Sequence, residues 1–455
     1  MPASRRSRDK QHVRGNLYTL FATYPVSVGA AIVVANVLGA ELKGALTYFI
    51  LVRGAFLPIA TVGLGTAARY WLASRRCTPQ QLTWSIIGFG LTVGAAIGLA
   101  AYAAIDLGVV GEIAEALPRT LTAIVCAQIP LFAVGYLLKD VFVGDDRFAY
   151  FNRIQLASTV LFAAASVGLV AVFDLGLGGA VAAMSLETVC YAGLSLFLAW
   201  RSGYLRRDRA RQPLRPLLAY GIRSVGGTLS SQVNDRLDAF VVGYYLSPAA
   251  LGVYAIAYSL AKLVTVLPTA VSPVLMNKVS RTGTAGDGEP GQAGAALRVL
   301  GDVARPLLLV TLLLVPLLVG VAYFAIPVLY GSDFAGAFVP LTVLLLGIVP
   351  FATTRRMIDK YFNGTERPLN PTLVQTVGSV VSIGLCFALI PRLGILGAAV
   401  ASTAAWLSGT LFGLYLLRGD TARPFALAFR FTSRDTDMIR AGLRTLLGPL
   451  RARLS

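Results

Sequence analysis

The sequence predicts an all-α polytopic membrane protein with twelve transmembrane helices, and three observations lead to that prediction. The 455 residues are 56% hydrophobic and 14% charged, with a mean hydropathy of +0.69, which excludes a soluble domain of this length and a disordered chain. Apolar runs of about 20 residues, the length that a helix needs to cross a bilayer, recur along the chain. Lysine and arginine are concentrated in alternate connections between these runs.

The predicted spans form two six-helix lobes between basic segments. We expect a basic cytoplasmic tail at 1–16, a first lobe at 17–200, a cytoplasmic linker at 201–216, a second lobe at 217–417 and a basic tail at 418–455. The spans of the first lobe are 17–38, 45–70, 82–105, 117–141, 154–173 and 177–200. Those of the second lobe are a pair within 220–281, joined at Ser247-Pro248, and then 297–323, 338–357, 371–390 and 396–417.

Prolines and glycines predict where these spans bend or end. Pro58, Pro130, Pro268 and Pro350 fall inside spans, where a missing N–H and a clash of the ring bend a helix. A glycine-rich loop is expected at 281–294. In the C-terminal tail, leucines and arginines lie on opposite faces, which predicts an amphipathic helix on the membrane surface; a loosely ordered basic tail is the alternative.

The distribution of basic residues predicts that both termini lie in the cytoplasm. Of the 40 lysines and arginines, 34 fall in segments on one side of the membrane and only Lys43, Arg119 and Arg392 fall in turns on the other. Basic loops remain on the cytoplasmic side, so the number of spans is even. The net charge of +18 is explained by this rule and by attraction to anionic lipid, and nucleic acid is not an expected partner. We expect a monomer in the cell membrane.

The two lobes repeat each other in sequence. Gly44 recurs as Gly252, 208 residues further on. Six spans per lobe is an even number, so the lobes share an orientation and are related by a pseudo-twofold axis along the membrane normal. Such lobes suit transport by alternating access. The other matches are Leu121-Thr122, Pro130, Phe142, Gly144 and Arg147 at an offset of 220, and Asn152, Leu175-Gly176 and Gly179-Ala180 at an offset of 218.

Polar residues recur every three or four positions along the seventh and eighth spans, so each set shares one helical face. A charge at mid-bilayer costs about 2.5–3.5 kcal/mol. We therefore predict that both faces line a water-accessible cavity; structural contacts with neighbouring helices are the alternative. The residues are Ser224, Thr228, Ser231, Asp235 and Asp238 in the seventh span, and Tyr254, Tyr258, Lys262, Thr265, Thr269 and Ser272 in the eighth.

A pattern in the middle of the chain consists of Asp238, Gly243, Leu251-Gly252-x-Tyr254, Ala257, Leu267-Pro268 and Pro273. It resembles the signature of polysaccharide-biosynthesis flippases in the multidrug/oligosaccharidyl-lipid/polysaccharide (MOP) exporter superfamily, and the resemblance extends over 16–418. It implies a fold like that of the MATE transporters and translocation of a lipid-linked oligosaccharide from the cytoplasmic to the outer leaflet. Related lipid II flippases carry cavity-facing cations in the second and eighth spans. The nearly uncharged first span departs from that branch.

This resemblance gives roles to the charged residues inside the spans. Arg53 and Lys262 lie within one residue of equivalent repeat positions, and they are candidates to bind a phosphate-linked cargo. The alternative is that they neutralise acidic residues of the bundle. Asp235, Asp238 and Glu187 are candidates for binding a coupling Na⁺ or proton; pairing of the two aspartates with Arg236, and of Glu187 with a neighbour, is the alternative. The predicted cavity residues are Arg53, Lys262, Arg236, Asp235, Asp238, Tyr254 and Tyr258.

Two other functional classes are weighed against the flippase. A multidrug or cation antiporter of the same superfamily favours an acidic cavity, whereas three basic and three acidic residues nearly balance here. A membrane glycosyltransferase or polymerase needs a catalytic acid on a sizeable outer loop, and no outer loop exceeds about a dozen residues. The only histidine, His12, lies in the basic tail, and the four cysteines are scattered, so no metal, cofactor or disulfide is expected.

Overall fold

The computed structural model describes residues 2–108, 111, 113, 116–206, 214–269, 271–272, 275, 279, 292–365, 367 and 369–430. The amphipathic helix predicted in the C-terminal tail, the middle of the linker and most of the loop at 281–294 lie outside these residues. The side chains of Ser224, Thr228 and Ser231 lie outside them as well.

Long helices dominate the described chain. Ten of them are long and apolar enough to cross a membrane. The first of these, Ala22–Thr61, is 40 residues long and is interrupted at Gly39, whose φ of 70° and ψ of 179° are not helical. The helix at Leu214–Tyr245, which carries Asp235 and Asp238, is not among the ten. The all-α membrane fold class is confirmed, while the count of twelve spans stays a prediction.

The helices are numbered here in chain order. The first seven are α1 (Pro2–Thr61), α2 (Leu64–Ala73), α3 (Pro79–Asp106), α4 (Arg119–Ala127), α5 (Ile129–Gly144), α6 (Phe148–Ser166) and α7 (Gly176–Arg201). The others are α8 (Leu214–Tyr245), α9 (Pro248–Lys262), α10 (Gln292–Ala325), α11 (Phe338–Pro350), α12 (Arg356–Gly364), α13 (Leu369–Leu393), α14 (Ile395–Leu416) and α15 (Pro424–Phe429).

Helical irregularities lie near all four of the prolines singled out in the sequence. Beyond Pro58, α1 ends where Val62 and Gly63 have φ of 45° and 66°. Gln128 separates α4 from α5, which carries Pro130 in its first turn. Pro350 is followed by a π-helical segment, Phe351–Arg355, and a 3₁₀ turn at Leu263–Thr265 precedes Pro268. Each of these prolines lacks the N–H of one α-helical hydrogen bond, which weakens the helix locally, although Pro306 and Pro316 lie inside α10 without an irregularity.

The chain divides into two compact units. The first comprises Met1–Gln232, Ala239–Ala255 and Pro327–Ala335, and the second comprises Val233–Asp238, Ile256–Ile326 and Gly336–Ser455. Each unit has its own apolar core. Phe142 belongs to the core of the first unit and its repeat equivalent Phe362 to that of the second, and both are fully buried.

The internal repeat is present in local structure as well as in sequence. Gly176, with a φ of 52°, begins the last long helix of the predicted first lobe, and Gly394, with a φ of 59°, precedes that of the second; a side chain would be strained at either position. The N–H of Arg147 donates a hydrogen bond to the Phe142 carbonyl at 2.8 Å, and that of Arg367 donates to the Phe362 carbonyl at 2.9 Å. Each unit thus turns its chain in the same way at equivalent positions.

Two of the repeated glycines contact each other within the first unit. A Cβ at Gly44 of α1 would lie 1.7 Å from the carbonyl oxygen of Pro248, and a Cβ at Gly252 of α9 would lie 2.1 Å from that of Ala40. These distances are far below van der Waals contact, so only glycine permits this close approach of α1 and α9.

Gly252→Ala is therefore expected to lower the melting temperature of the purified protein, because α1 and α9 must move apart. Overpacking of this kind typically costs about 1–3 kcal/mol. Gly29→Ala is the matched control, since no atom of the described residues lies within 4 Å of a Cβ at that position of α1. Thermal unfolding in detergent, followed by tryptophan fluorescence, measures both. Equal melting temperatures for the two variants would contradict the proposed contact.

Candidate functional site

Arg53 lies at the centre of a buried polar network in the first unit, where it is 8% exposed. Its Nη2 donates a hydrogen bond to Glu187 Oε2 at 2.8 Å, and its Nη1 donates to Thr188 Oγ1 at 2.9 Å. The guanidinium also lies 4.5 Å from the centroid of the Phe132 ring. The charge of Arg53 is thus neutralised by a carboxylate of α7 and shielded by an aromatic face.

Gln128 extends this network from the break between α4 and α5. Its amide nitrogen donates to Ser185 Oγ at 2.9 Å, and its amide oxygen lies 3.1 Å from Thr188 Oγ1. Thr188 also accepts a hydrogen bond from Arg53. The side chains of Arg53, Thr188, Gln128 and Ser185 therefore form one continuous chain of hydrogen bonds. Pro130 lacks the N–H that would continue the helix here, and the resulting break places Gln128 against α7.

Lys262 is held by a second ion pair, in the second unit. Its Nζ lies 3.1 Å from Asp235 Oδ1 and 5.1 Å from the centroid of the Tyr258 ring. The Tyr258 hydroxyl donates to the backbone carbonyl of Asp235 at 2.8 Å. The Lys262 and Asp235 side chains are 25% and 40% exposed, against 9% and 19% for Arg53 and Glu187. The Lys262 pair is therefore the more accessible of the two.

The two cations occupy near-equivalent repeat positions but have acidic partners on non-equivalent helices. Arg53 is paired with α7, the last helix of the predicted first lobe, whereas Lys262 of α9 is paired with α8, the helix immediately before α9 in the chain. The pairing within the bundle that the sequence left open as an alternative is present for both cations. Binding of cargo by these residues stays a prediction.

Asp238 differs from Asp235 in its surroundings. It is 2% exposed, and its Oδ2 accepts a hydrogen bond from Ser402 Oγ at 2.6 Å. Asp235 is paired with Lys262. The sequence had offered Arg236 as its alternative partner. Arg236 is half-buried, and Tyr254 is fully buried in the first unit. Of the predicted cavity residues, the structure thus brings Lys262, Asp235 and Tyr258 together and places Tyr254 in a core.

Arginines at equivalent loops hold each unit together at the end that the sequence assigns to the cytoplasm. Arg147 contacts Asp145 at 3.1 Å and donates to Ser202 Oγ at 3.1 Å, while its equivalent Arg367 contacts Asp420 at 2.8 Å. The Tyr204 hydroxyl also donates to Asp145. Burial, together with this hydrogen bond, raises the pKa of Tyr204 well above its ordinary value, so the donor proton is retained at physiological pH.

The described residues of the first unit include the linings of two surface cavities that lie apart from these networks. One has a volume of about 630 Å³, and the other has a volume of about 380 Å³. Neither is lined by a residue that the sequence singled out for cargo or ion binding. The first is lined by Gln80, Trp200, Arg201, Ser202, Gly203, Leu205 and Arg206. The second is lined by Tyr102, Ile105, Asp106, Leu107, Gly108, Leu117, Arg119 and Thr122.

Comparison with known proteins places these features in a family context. Residues 91–338 match the family described as polysaccharide biosynthesis protein. The chain is similar to a protein of Haloferax volcanii named as the probable flippase AglR, with 25% identity over 185 residues, or 40% of this chain and 37% of that protein. The match therefore spans well under two thirds of that relative.

Two solved structures share the fold at low sequence identity. One is the lipid II flippase MurJ in an inward closed conformation, with a TM-score of 0.70 and 16% identity over 92% of this chain and 90% of that one. The other is a multidrug resistance MATE family transporter of the MOP superfamily in an inward-facing conformation, with a TM-score of 0.70 and 14% identity over 89% and 94% of the two chains. These likenesses establish the fold.

Proposed function

This chain belongs to the polysaccharide biosynthesis protein family of MOP-superfamily flippases, and from that membership we propose that it moves a lipid-linked oligosaccharide from the cytoplasmic to the outer leaflet of the cell membrane. The cargo would be carried by alternating access of the two lobes. Both termini would lie in the cytoplasm, as the distribution of basic residues predicts. A reporter fused after Arg418 and found outside the cell would contradict that orientation.

The observation that best supports this cargo is the accessible ion pair of Lys262 and Asp235. A lipid pyrophosphate carries about two negative charges, each of which is costly inside a bilayer unless a cation accompanies it. Because both side chains of the pair are partly exposed, phosphate oxygens can replace the Asp235 carboxylate at Lys262 without burying a bare charge. The more deeply buried Arg53 would contribute its charge in the first unit.

A multidrug antiporter is the second candidate, because the fold matches a MATE transporter as well as it matches a lipid II flippase. Deletion of the gene separates the two. A flippase deletion is expected to remove surface glycan and to leave lipid-linked oligosaccharide accumulating inside the cell, with unchanged efflux of ethidium. Loss of ethidium efflux with normal surface glycan would favour the antiporter and overturn the proposal.

Asp238 is the better of the two aspartates for coupling transport to a Na⁺ or proton gradient. Asp238 is buried and accepts a hydrogen bond from Ser402 Oγ, and carboxylate and hydroxyl oxygens suit both ions, whereas Asp235 is partly exposed and binds Lys262. Asp238→Asn is expected to abolish the stimulation of transport by an imposed gradient in proteoliposomes. Glu187, which is paired with Arg53, is the less suited candidate. A gradient response in Asp238→Asn equal to that of the wild type would exclude Asp238.

A further inference from the structure

Arg355 is a buried cation that the proposed transport steps do not use. It is the last residue of the π-helical segment Phe351–Arg355, and only 1% of its surface is exposed. The sequence places it at the cytoplasmic end of the tenth predicted span, but the structure continues the helix as α12 to Gly364 and buries the side chain. Short π-helical segments are costly and are found frequently at functional sites.

The Arg355 guanidinium is poorly satisfied for a buried charge. Its Nη2 donates a hydrogen bond to Gln375 Oε1, and its Nε lies 3.8 Å from Asp359 Oδ2, which is beyond hydrogen-bond distance. Nε and Nη1 have no hydrogen-bond partner in the part of the chain that the structure describes, and the same is true of Trp406 Nε1. Each buried donor left without a partner costs about 1–3 kcal/mol. The arrangement lowers stability, so these donors call for an acceptor, either a ligand or ordered water.

The internal repeat shows that the charge is not required to pack the lobe. The position equivalent to Arg355 is Gly135 at the offset of 220, and the position equivalent to Gly409 is Tyr191 at the offset of 218. In the first unit the ring of Tyr191 lies against Gly135; in the second unit Arg355 Nη1 lies against Gly409. The first unit fills the same place with a neutral pair. Its helix α5 also continues through this position as an α-helix, without a π segment.

A chain of aromatic rings connects Arg355 with Lys262 inside the second unit. The Arg355 guanidinium lies 5.2 Å from the Phe351 ring centroid, and that ring lies 5.7 Å from the ring of Trp406. Trp406 lies 6.3 Å from Tyr258, whose ring is 5.1 Å from Lys262 Nζ. Arginine, lysine and aromatic faces are the groups that bind phosphate and pyranose rings, so this set has the composition of a phosphate and sugar site.

We infer that Arg355 forms a second phosphate-binding subsite for the cargo, in the same unit as Lys262. The inference rests on the function proposed above. The planar guanidinium can grip two phosphate oxygens at once along one edge, through the second hydrogen of Nη2 together with the unused Nε or Nη1, whereas Lys262 acts as a point charge. A pyrophosphate that leaves Lys262 therefore has a second cation to receive it.

The π segment provides a way to uncover the subsite. A π-helical turn holds one residue more than an α-helical turn, so its conversion to α-helix shifts the register of the chain beyond it by one residue. One residue corresponds to a rotation of about 100° around the helix axis. Such a rotation carries Arg355 from the interior contact with Gln375 to another face of the helix, and the gain of regular α-helix offsets part of its cost.

Binding of farnesyl diphosphate to the purified full-length protein, with farnesol as the uncharged control, tests this subsite. Arg355→Gln is expected to weaken diphosphate binding about tenfold or more and to leave farnesol binding unchanged. Arg355→Gln/Asp359→Asn, which removes both charges of the pair, is expected to weaken diphosphate binding equally and to keep or raise the melting temperature, and it serves if the single variant fails to fold. Lys360→Gln is the matched control. It also removes one positive charge, five residues from Arg355, and it should bind farnesyl diphosphate as the wild type does.

The readouts separate this inference from the proposed function. Wild-type diphosphate affinity in both Arg355 variants would overturn the subsite and show that water alone satisfies the guanidinium. A fall in melting temperature with retained affinity would assign Arg355 a structural role and would overturn it as well. In either case, loss of binding in Lys262→Ala would leave the flippase function standing, whereas a wild-type protein that binds farnesyl diphosphate no better than farnesol would contradict that function itself.

Discussion

Lys262→Ala is expected to reduce surface glycan about tenfold or more while the protein still inserts and accumulates. The Lys262–Asp235 pair is partly exposed, so truncation of the lysine leaves Asp235 within reach of water and costs little stability. The cargo phosphate, in contrast, loses the accessible cation that compensates it inside the membrane. Surface glycan, normalised to the amount of protein in the membrane fraction, measures the effect.

Lys262→Arg is the control for charge. It keeps the positive charge and changes only the geometry of the contact, so export should be partly retained. A glycan level in Lys262→Ala equal to that of the wild type would show that Lys262 only neutralises Asp235, the alternative that the sequence left open.

Arg53→Ala is expected to behave differently, with a large loss of protein from the membrane. Its partner Glu187 is 19% exposed, and removal of one member of a buried pair leaves an uncompensated charge that typically costs about 3–5 kcal/mol. Thr188 and Gln128, which are linked to Arg53, would lose part of their hydrogen bonding as well. The amount of folded protein in detergent, measured by fluorescence-detected size-exclusion chromatography, reports the loss.

The double variant Arg53→Gln/Glu187→Gln separates folding from transport. Two amides can keep a hydrogen bond between α1 and α7 without an unpaired charge, so the protein should accumulate again. If Arg53 supplies charge to the cargo, surface glycan should nevertheless remain about tenfold or more below the wild type. Full recovery of both protein and glycan would restrict Arg53 to a structural role.

The parts of the fold that could be predicted depend on local chemistry. Proline removes a donor wherever it lies, so helix irregularities near Pro130 and Pro350 follow from sequence alone. Repeated glycines at matching positions indicated the same backbone requirement in both halves, and Gly176 and Gly394 both adopt positive φ. Apolar runs of about 20 residues predicted membrane spans, and ten helices of the described chain are long and apolar enough to cross a membrane.

The partners of the buried charges could not be predicted, because they depend on packing between distant helices. Three acidic residues were available to Arg53, and only the packing of α1 against α7 selects Glu187. Tyr254 shares a helical face with Tyr258 in sequence, yet it is fully buried in the first unit, whose helices α1 and α9 meet at Gly44 and Gly252.

Arg355 was missed for a related reason. In the count of basic residues, a cation at the end of a predicted span is assigned to the adjoining loop. Two signals in the sequence could have indicated its burial: Pro350 lies five residues before it, and the equivalent position of the other lobe is Gly135, which is not a loop residue.

Reconstitution tests the central claim most directly. The purified chain, placed in proteoliposomes with a fluorescent lipid-linked oligosaccharide in both leaflets, is treated from outside with a membrane-impermeant quencher. We predict that the wild-type protein brings inner-leaflet fluorophore within reach of the quencher, that Lys262→Ala does so about tenfold more slowly, and that empty vesicles do not. Quenching confined to the outer leaflet with the folded wild-type protein, under both imposed Na⁺ and proton gradients, would contradict the assignment of this chain as a lipid-linked oligosaccharide flippase.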